Sequence, residues 1–362
     1  MTDLPAAVSW QPVVAVPVRN EARRIAALLR ALDGQSWART AGTVPVVLVL
    51  NNCTDGTRAV CEKTLSALGR LRAEVIDVDL PTASAHVGTA RRMAMDRAAD
   101  LCAPGSGIVL TTDADAVPDQ DWIAASVRAF ARGADLVGGK LTGNREEEDR
   151  LGPAFNARAG AAAAYATHCD RLAALIDPLE HDPWPRHADH TGGSLAIRAD
   201  LYRALGGLPP LPRREDLALV NLARAAGAKL VHPLDVRVEV SARLIGRAQG
   251  GMADCLKAWM RAESEGRPHL VEAPARVERR LTRRRAVRDL AALAAPARDA
   301  AARALGLDPQ AFNEAPRDHA GAWAVERFAP DEPDAEALVP VGEAIATILG
   351  MIAVREGAMR AA

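Results

Sequence analysis

The sequence predicts an α/β protein: a parallel sheet covered by helices on both faces, followed by a helical C-terminal segment. Three observations carry that expectation. Short, continuously apolar runs alternate with helix-period segments through the first half of the chain. Polar clusters stand immediately after those runs. Beyond Gly251 the pattern turns helical, punctuated by Pro268, Pro274, Pro296, Pro309, Pro316 and Pro330.

Val13–Val16 is the first β-branched run, and Pro17 is expected to stop it. Asn20–Glu21 then opens a helix with Ile25, Leu28, Leu29 and Leu32 at helical spacing. Val46–Leu50 is the second run; it leads through a turn at Asn51–Gly56 into a helix from Thr57 to about Leu68. Val75–Val78 reads as a strand, Gly88–Ala99 as a helix, and Ile108–Thr112 as a strand ending at Asp113–Ala114–Asp115. From Gly139 to His190 the pattern loosens into an acidic run (Glu146–Asp149), an alanine-rich helix near Ala159–Ala174 and a turn-rich stretch. Order returns at Thr191–Gly192–Gly193–Ser194, with helices from Ala199 and over Leu217–Ala226, and strands at Lys229–Val231 and Val236–Val240. A boundary at about residue 251 gives one domain over 10–250 and a helical extension over 251–362, with no internal repeat.

Composition narrows the class. A chain of 362 residues suggests roughly two domains, and 49 % hydrophobic residues exclude a wholly disordered one. Lys+Arg 45 against Asp+Glu 46 argues against a polyanion binder, and 3 % aromatics against base stacking, so no nucleic-acid partner is expected. Cys53, Cys61, Cys102, Cys169 and Cys255 are scattered and form no CxxC, which fits a reducing compartment. The N-terminus has no signal-peptide pattern, and the longest apolar stretch, Ala344–Val354, is too short to span a bilayer; the expectation is a soluble, cytoplasmic protein.

In open α/β sheets ligands bind beyond the carboxyl ends of the strands. Three polar clusters stand there: Arg19–Asn20–Glu21, Asn51 to Asp55, and Asp113 with Asp115. At i and i+2 on an extended strand end, both aspartates point to one side. Such a pair suits Mg²⁺ or Mn²⁺, whose shell water and substrate phosphates would complete. The plainer alternative is a solvated acidic loop. An EF-hand is excluded by Val117, Pro118 and Ala124 at ligand and turn positions.

The ordered series PVRNEARRI, VLVLNNCTDGT, GTARRMAMDRA, IVLTTDADAVPDQDWI, TGGSLAIRADLYRALGG and REDLALVNLARAAGAKL resembles the family 2 glycosyltransferases over about residues 12–250. The resemblance implies the GT-A (nucleotide-diphospho-sugar transferase) fold, a Rossmann-like mixed sheet flanked by helices, with a helical C-terminal extension. It implies a metal-dependent, non-processive, inverting glycosyltransferase with a UDP- or GDP-linked donor and a small-molecule or lipid-linked acceptor. Carried over by position, Pro17, Arg19, Asn20, Glu21, Asn51, Arg91 and Asp113 fall on the nucleotide, and Asp115 with Asp113 on the metal. Asn51 departs from the family's usual carboxylate, and Asp55 matches an aspartate of structural role. Asp216 corresponds to the general base, with Glu215 beside it. The chemistry requires a base, because an acceptor hydroxyl is a poor nucleophile at neutral pH. For these two carboxylates the plain reading is helix N-terminal charge.

Thr191, Gly192 and Gly193 match the family's acceptor-side segment. Arg243 and Arg247 could neutralise the diphosphate with planar donor forks. No Q-x-x-R-W occurs, which disfavours a processive synthase, and no histidine stands over Val238–Arg243, where many relatives hold a third metal ligand. His181, His187 and His190 surround Trp184 without a zinc-ligand spacing, so Trp184 is read as an acceptor-binding face. Seven arginines over Arg276–Arg288 read as a solvated helix face, or else as a peripheral membrane contact. A stripe of Val341, Ile345, Ile348, Leu349 and Ile352 reads as packing or a homodimer contact. Two rival readings stand beside this one: a retaining GT-A transferase resembling glucosyl-phosphoglycerate synthase, and a catalytically silent nucleotide-sugar-binding subunit. A sugar nucleotidyltransferase is disfavoured because Pro17–Glu21 contains no glycine.

Overall fold

The computed structural model describes residues 9–246, 251–314, 316, 318–333 and 336–361. The chain divides into two compact units. The first comprises Met1–Glu147, Ala188–Val220 and Lys229–Cys255; the second comprises Glu148–His187, Asn221–Ala228 and Leu256–Ala362. The last segment of the first unit ends at Cys255, and the segments Glu148–His187 and Asn221–Ala228 group with the C-terminal helices.

Among the described residues ten strands build the first unit: β1 (Gln11–Val18), β2 (Val44–Asn51), β3 (Leu71–Val78), β4 (Gly107–Thr111), β5 (Val117–Pro118), β6 (Leu136–Gly138), β7 (Lys140–Gly143), β8 (Leu195–Arg198), β9 (Leu230–Val231) and β10 (Arg237–Val240). Seven form one sheet in the order β3-β2-β1-β4-β8-β6-β9, and β5-β10-β7 form a smaller one. β1, β2, β3 and β4 run parallel, in accord with the continuous apolar character of β1, β2 and β4. The sheet is mixed because β8 lies antiparallel to both β4 and β6. That inversion matters for the site. Leu195, the first residue of β8, pairs with Thr111, the last of β4. The segment leading into β8 therefore reaches the same edge as the ends of the parallel strands.

Pro17 does not stop β1, which continues to Val18. The ladder to β4 ends at Ala15, whereas that to β2 runs on to Val18. Pro17 thus occupies a stretch partnered on one side only, where a proline is tolerated. The helix expected at Asn20–Glu21 begins later, at Ile25, and buries Ile25, Leu28, Leu29 and Leu32. The helix Val87–Asp100 buries Ala90, Ala94, Met95, Ala98 and Ala99, with Arg91 on the same buried face. His86 caps it by accepting the Thr89 N–H.

In the second unit the helices Pro153–Ile176, Pro274–Ala291 and Val341–Ala361 share a core of Tyr165, Leu172, Val277, Leu281, Ala344, Ile348 and Ile352. Leu349 lies outside it, 45 % exposed, so the stripe read from the sequence is narrower in the fold. The arginine-rich helix has a buried stripe after all: Val277, Leu281, Arg284, Val287 and Leu290. Its arginines are largely engaged internally. Arg280 pairs with Glu272 and Asp331, Arg284 with Glu326, Arg285 with Asp289 and Arg288 with Asp177. No helix among the described residues is long and apolar enough to cross a membrane.

Candidate active site

The turns after β1 and β2 are stitched together before any ligand is considered. Asn20 and Asn52 adopt left-handed φ values of 54° and 51°, a conformation asparagine tolerates. The Asn20 side-chain oxygen accepts the Thr54 N–H at 2.7 Å, and the Glu21 N–H donates to Thr57 Oγ1 at 2.9 Å. Asp55 accepts the N–H groups of Ala22 and Thr57. Burial works against its charge, but these bonds and the Thr57 hydroxyl hold its carboxyl below the usual range. Asn20 and Asp55 are thereby committed to the scaffold. Arg19 donates to the Ala85 carbonyl.

Asn51 closes β2 and is buried. Its Nδ2 donates to the His86 carbonyl at 3.4 Å, whereas its Oδ1 is buried without a hydrogen-bond partner among the described residues. A buried acceptor left unpaired costs about 1–3 kcal/mol. Asn51 Oδ1 is thus poised to receive a donor from outside the chain.

Arg91 is the hub of the site. Its side chain is 3 % exposed and makes four contacts: Glu215 at 3.1 Å, Thr111 Oγ1 at 2.9 Å, the Gly192 carbonyl at 2.8 Å and Asp113 Oδ1 at 2.6 Å. Burial alone would lower its pKa, but the charges of Asp113 and Glu215 outweigh that and raise it. Glu215 is itself buried; desolvation raises its carboxyl, with Arg91 opposing and the neighbouring Asp216 reinforcing. Asp216 remains partly exposed, and its oxygens accept the Gly192 N–H at 2.6 Å and the Leu217 N–H at 2.7 Å. Thr112 Oγ1 donates to the Gly193 carbonyl at 2.8 Å. One guanidinium thus ties the end of β4 to the segment before β8 and to the helix Glu215–Ala225.

The close fit at Gly192 yields a prediction. A Cβ there would lie 2.5 Å from Arg91 Cζ, and the guanidinium cannot retreat without breaking its four bonds. Gly192→Ala should destabilise the fold by about 1–3 kcal/mol, measured by denaturant titration. An unchanged midpoint would mean that the hub is looser than its geometry.

A second guanidinium occupies the other side. Arg243 forks onto Glu21 at 2.6 and 2.5 Å and reaches Asp115 Oδ2 at 2.9 Å. Asp115 is pushed up to about 6, first by burial and then by the charge of Asp113, with Arg243 pulling the other way. The backbone that delivers Arg243 is anchored by Glu147, whose Oε2 accepts from Ser241 Oγ at 3.0 Å and the Ala242 N–H at 2.8 Å. A cavity of about 350 Å³ opens beside Asp115, walled by Arg23, Arg24, Asn144, Glu147, Glu239 and Ser241 among others.

The structure therefore brings Pro17, Arg19, Asn20, Glu21, Asn51, Arg91, Asp113, Asp115, Thr191, Gly192, Gly193, Glu215, Asp216 and Arg243 into the first unit, on or beside this edge. Trp184 belongs to the second unit, where the Arg171 guanidinium stands 5.3 Å from its ring centroid. Of the three histidines, His190 is in the first unit, 3.1 Å from His232, whereas His181 and His187 are in the second. Arg247 lies outside the described residues. Sequence reasoning missed Thr111 and Glu147; Thr111, a hydroxyl closing an apolar strand, was the detectable one. Among the described residues no group of three or more His, Cys, Asp or Glu could hold a metal ion.

The model of the family described as Glycosyl transferase family 2 matches residues 13–190. No curated protein matches by sequence. Among solved structures, the mannosyltransferase PcManGT from Pyrobaculum calidifontis, in complex with GDP-Man and Mn²⁺, is 18 % identical with TM-score 0.46, over 91 % of each chain. S. aureus TarS 1–349 in complex with UDP is 17 % identical with TM-score 0.44, over 64 % of this chain; the match spans 60 % of that fragment. Glucosyl-3-phosphoglycerate synthase from Mycobacterium tuberculosis, in complex with phosphoglyceric acid, is 17 % identical with TM-score 0.40, over 72 % of this chain and 82 % of that one. These similarities assign no donor, acceptor or metal.

Proposed function

The chain belongs to glycosyl transferase family 2 through residues 13–190, and from that premise we propose a non-processive, inverting transfer of a sugar from a nucleoside-diphosphate donor to an acceptor hydroxyl. The observation that carries the reading is the Arg91 hub, which couples Asp113 at the end of β4 to the Glu215–Asp216 pair. Donor-side and acceptor-side carboxylates are thereby held in one rigid frame.

In this reading Asn51 faces the base, and its unpaired buried Oδ1 would accept an imino N–H such as uracil and guanine present. Pro17 to Glu21 border the nucleoside. Asp113 and Asp115 fit a hard divalent cation, Mg²⁺ or Mn²⁺: both are oxygen donors two residues apart, and magnesium is satisfied by one or two carboxylates plus substrate phosphates. Such a cation, when bound, would supply charge neutralisation for the departing diphosphate. Asp216 takes the proton from the acceptor hydroxyl as it attacks the sugar carbon and the bond to the diphosphate breaks. The N–H groups of Gly192 and Leu217 hold that carboxylate in one orientation. Glu215 positions Arg91 from a buried place, and the Thr191–Gly193 backbone borders the acceptor.

A thermal-shift panel of UDP, GDP, TDP, CDP and ADP, each with and without Mn²⁺, tests the reading. Binding at about 100 times Kd adds about 2.7 kcal/mol of stability. UDP or GDP with Mn²⁺ should raise the melting temperature; no shift with any nucleotide would sink the donor site.

A further inference from the structure

Arg243 lies where an incoming cation would have to bind. Its guanidinium is 2.9 Å from Asp115 Oδ2 and forks onto Glu21, and its side chain is only 18 % exposed. A divalent cation approaching Asp115 therefore meets a positive charge already in contact with its ligand oxygen. Glu147 fixes the backbone at Ser241 and Ala242. Movement of Arg243 away from Asp115 thus falls to its own rotatable side chain. A diphosphate offers the same planar, bidentate partner as a carboxylate and carries more charge.

We propose that Arg243 is a counter-ion exchanged between Asp115 and the donor diphosphate, so that metal and nucleotide bind as a coupled pair. The inference rests on the donor site proposed above. Without nucleotide, Arg243 neutralises Asp115 and Glu21, and a divalent cation alone binds weakly. The arriving diphosphate draws Arg243 off Asp115, which becomes available to the cation. By linkage the cation strengthens nucleotide binding by the same factor. After transfer, nucleoside diphosphate and metal leave together, and Arg243 returns to Asp115. The chain thus limits occupation of Asp115 by stray divalent ions.

The test is Mn²⁺ binding followed by electron paramagnetic resonance of the free ion, in the absence of any acceptor. Arg243→Gln should bind Mn²⁺ alone about tenfold tighter than the wild type, the scale of removing one partly buried charge from contact. Saturating UDP or GDP should then tighten Mn²⁺ less in Arg243→Gln than in the wild type. A structural role would produce no gain in metal affinity. Arg243→Lys retains a charge but lacks the fork that spans both carboxylates. It should fall between the two, and it carries the test if the glutamine variant does not fold. Mn²⁺ affinity unchanged or weakened in both variants, with nucleotide-dependent binding intact, overturns the exchange while leaving the donor site standing. No Mn²⁺ binding by any protein with any nucleotide overturns the donor-site reading and this inference with it.

Discussion

Replacing Asp115 by asparagine is expected to lower sugar transfer about a thousandfold and, at neutral pH, to raise the melting temperature of the ligand-free protein. Both effects come from one placement. The Asp115 carboxyl is pushed from its usual 3.8 to about 6, by burial first and the charge of Asp113 second, and the contact with Arg243 does not cancel them. The folded chain therefore keeps a proton at pH values where the unfolded chain has released it. The ionised carboxylate is destabilising in the fold. That destabilisation is absent below the unfolded pKa, grows as pH rises and is complete above about 6. A shift of this size has a ceiling of about 3 kcal/mol, and Arg243's loss of one partner offsets part of it. Asp115→Asn should thus melt a few degrees higher than the wild type at neutral pH, with the difference closing towards pH 4. Scanning calorimetry across pH, set beside donor turnover, checks both. A lower melting temperature at neutral pH would mark Asp115 as a folding residue instead.

The parallel half of the sheet was legible because β1, β2 and β4 are buried along nearly their whole length and their apolar runs are continuous. Polar residues at their carboxyl ends followed from the same pattern. What stayed hidden depends on partners distant in sequence. The resemblance placed Arg91 at the nucleotide, but nothing local reveals that Asp113 and Glu215, 22 and 124 residues away, converge on it. Arg243 was read as a diphosphate ligand, and nothing local reveals that Glu21, 222 residues away, already holds it. The arginine-rich helix misleads in the same way. Arg284 and Arg288 meet Glu326 and Asp177, so a segment with the composition of a solvated face carries part of a core. The inversion of β8 is equally non-local, since its pairing with β4 decides its direction.

Asp216→Asn is expected to lower kcat by about 10²- to 10⁴-fold while leaving the nucleotide-dependent, Mn²⁺-dependent thermal shift in place. Asp216 contacts Gly192 and Leu217 through backbone N–H groups, whereas Arg91 donates hydrogen bonds to the carboxylates of Glu215 and Asp113. Changing its charge therefore leaves the Arg91 frame and the Asp113–Asp115 pair standing. Asparagine can accept from only one of the two N–H groups and presents an amide to the other, which costs about 1 kcal/mol of stability. Glu215→Gln should behave in the opposite sense. It removes a buried charge that Arg91 needs, and breaking such a pair costs about 3–5 kcal/mol, so it should lower the melting temperature as well as turnover. Steady-state kinetics, nucleotide thermal shifts and melting curves on both variants separate a base from a positioning residue. Full turnover in Asp216→Asn would remove the base assignment. Loss of nucleotide binding in the same variant would place Asp216 on the donor rather than the acceptor.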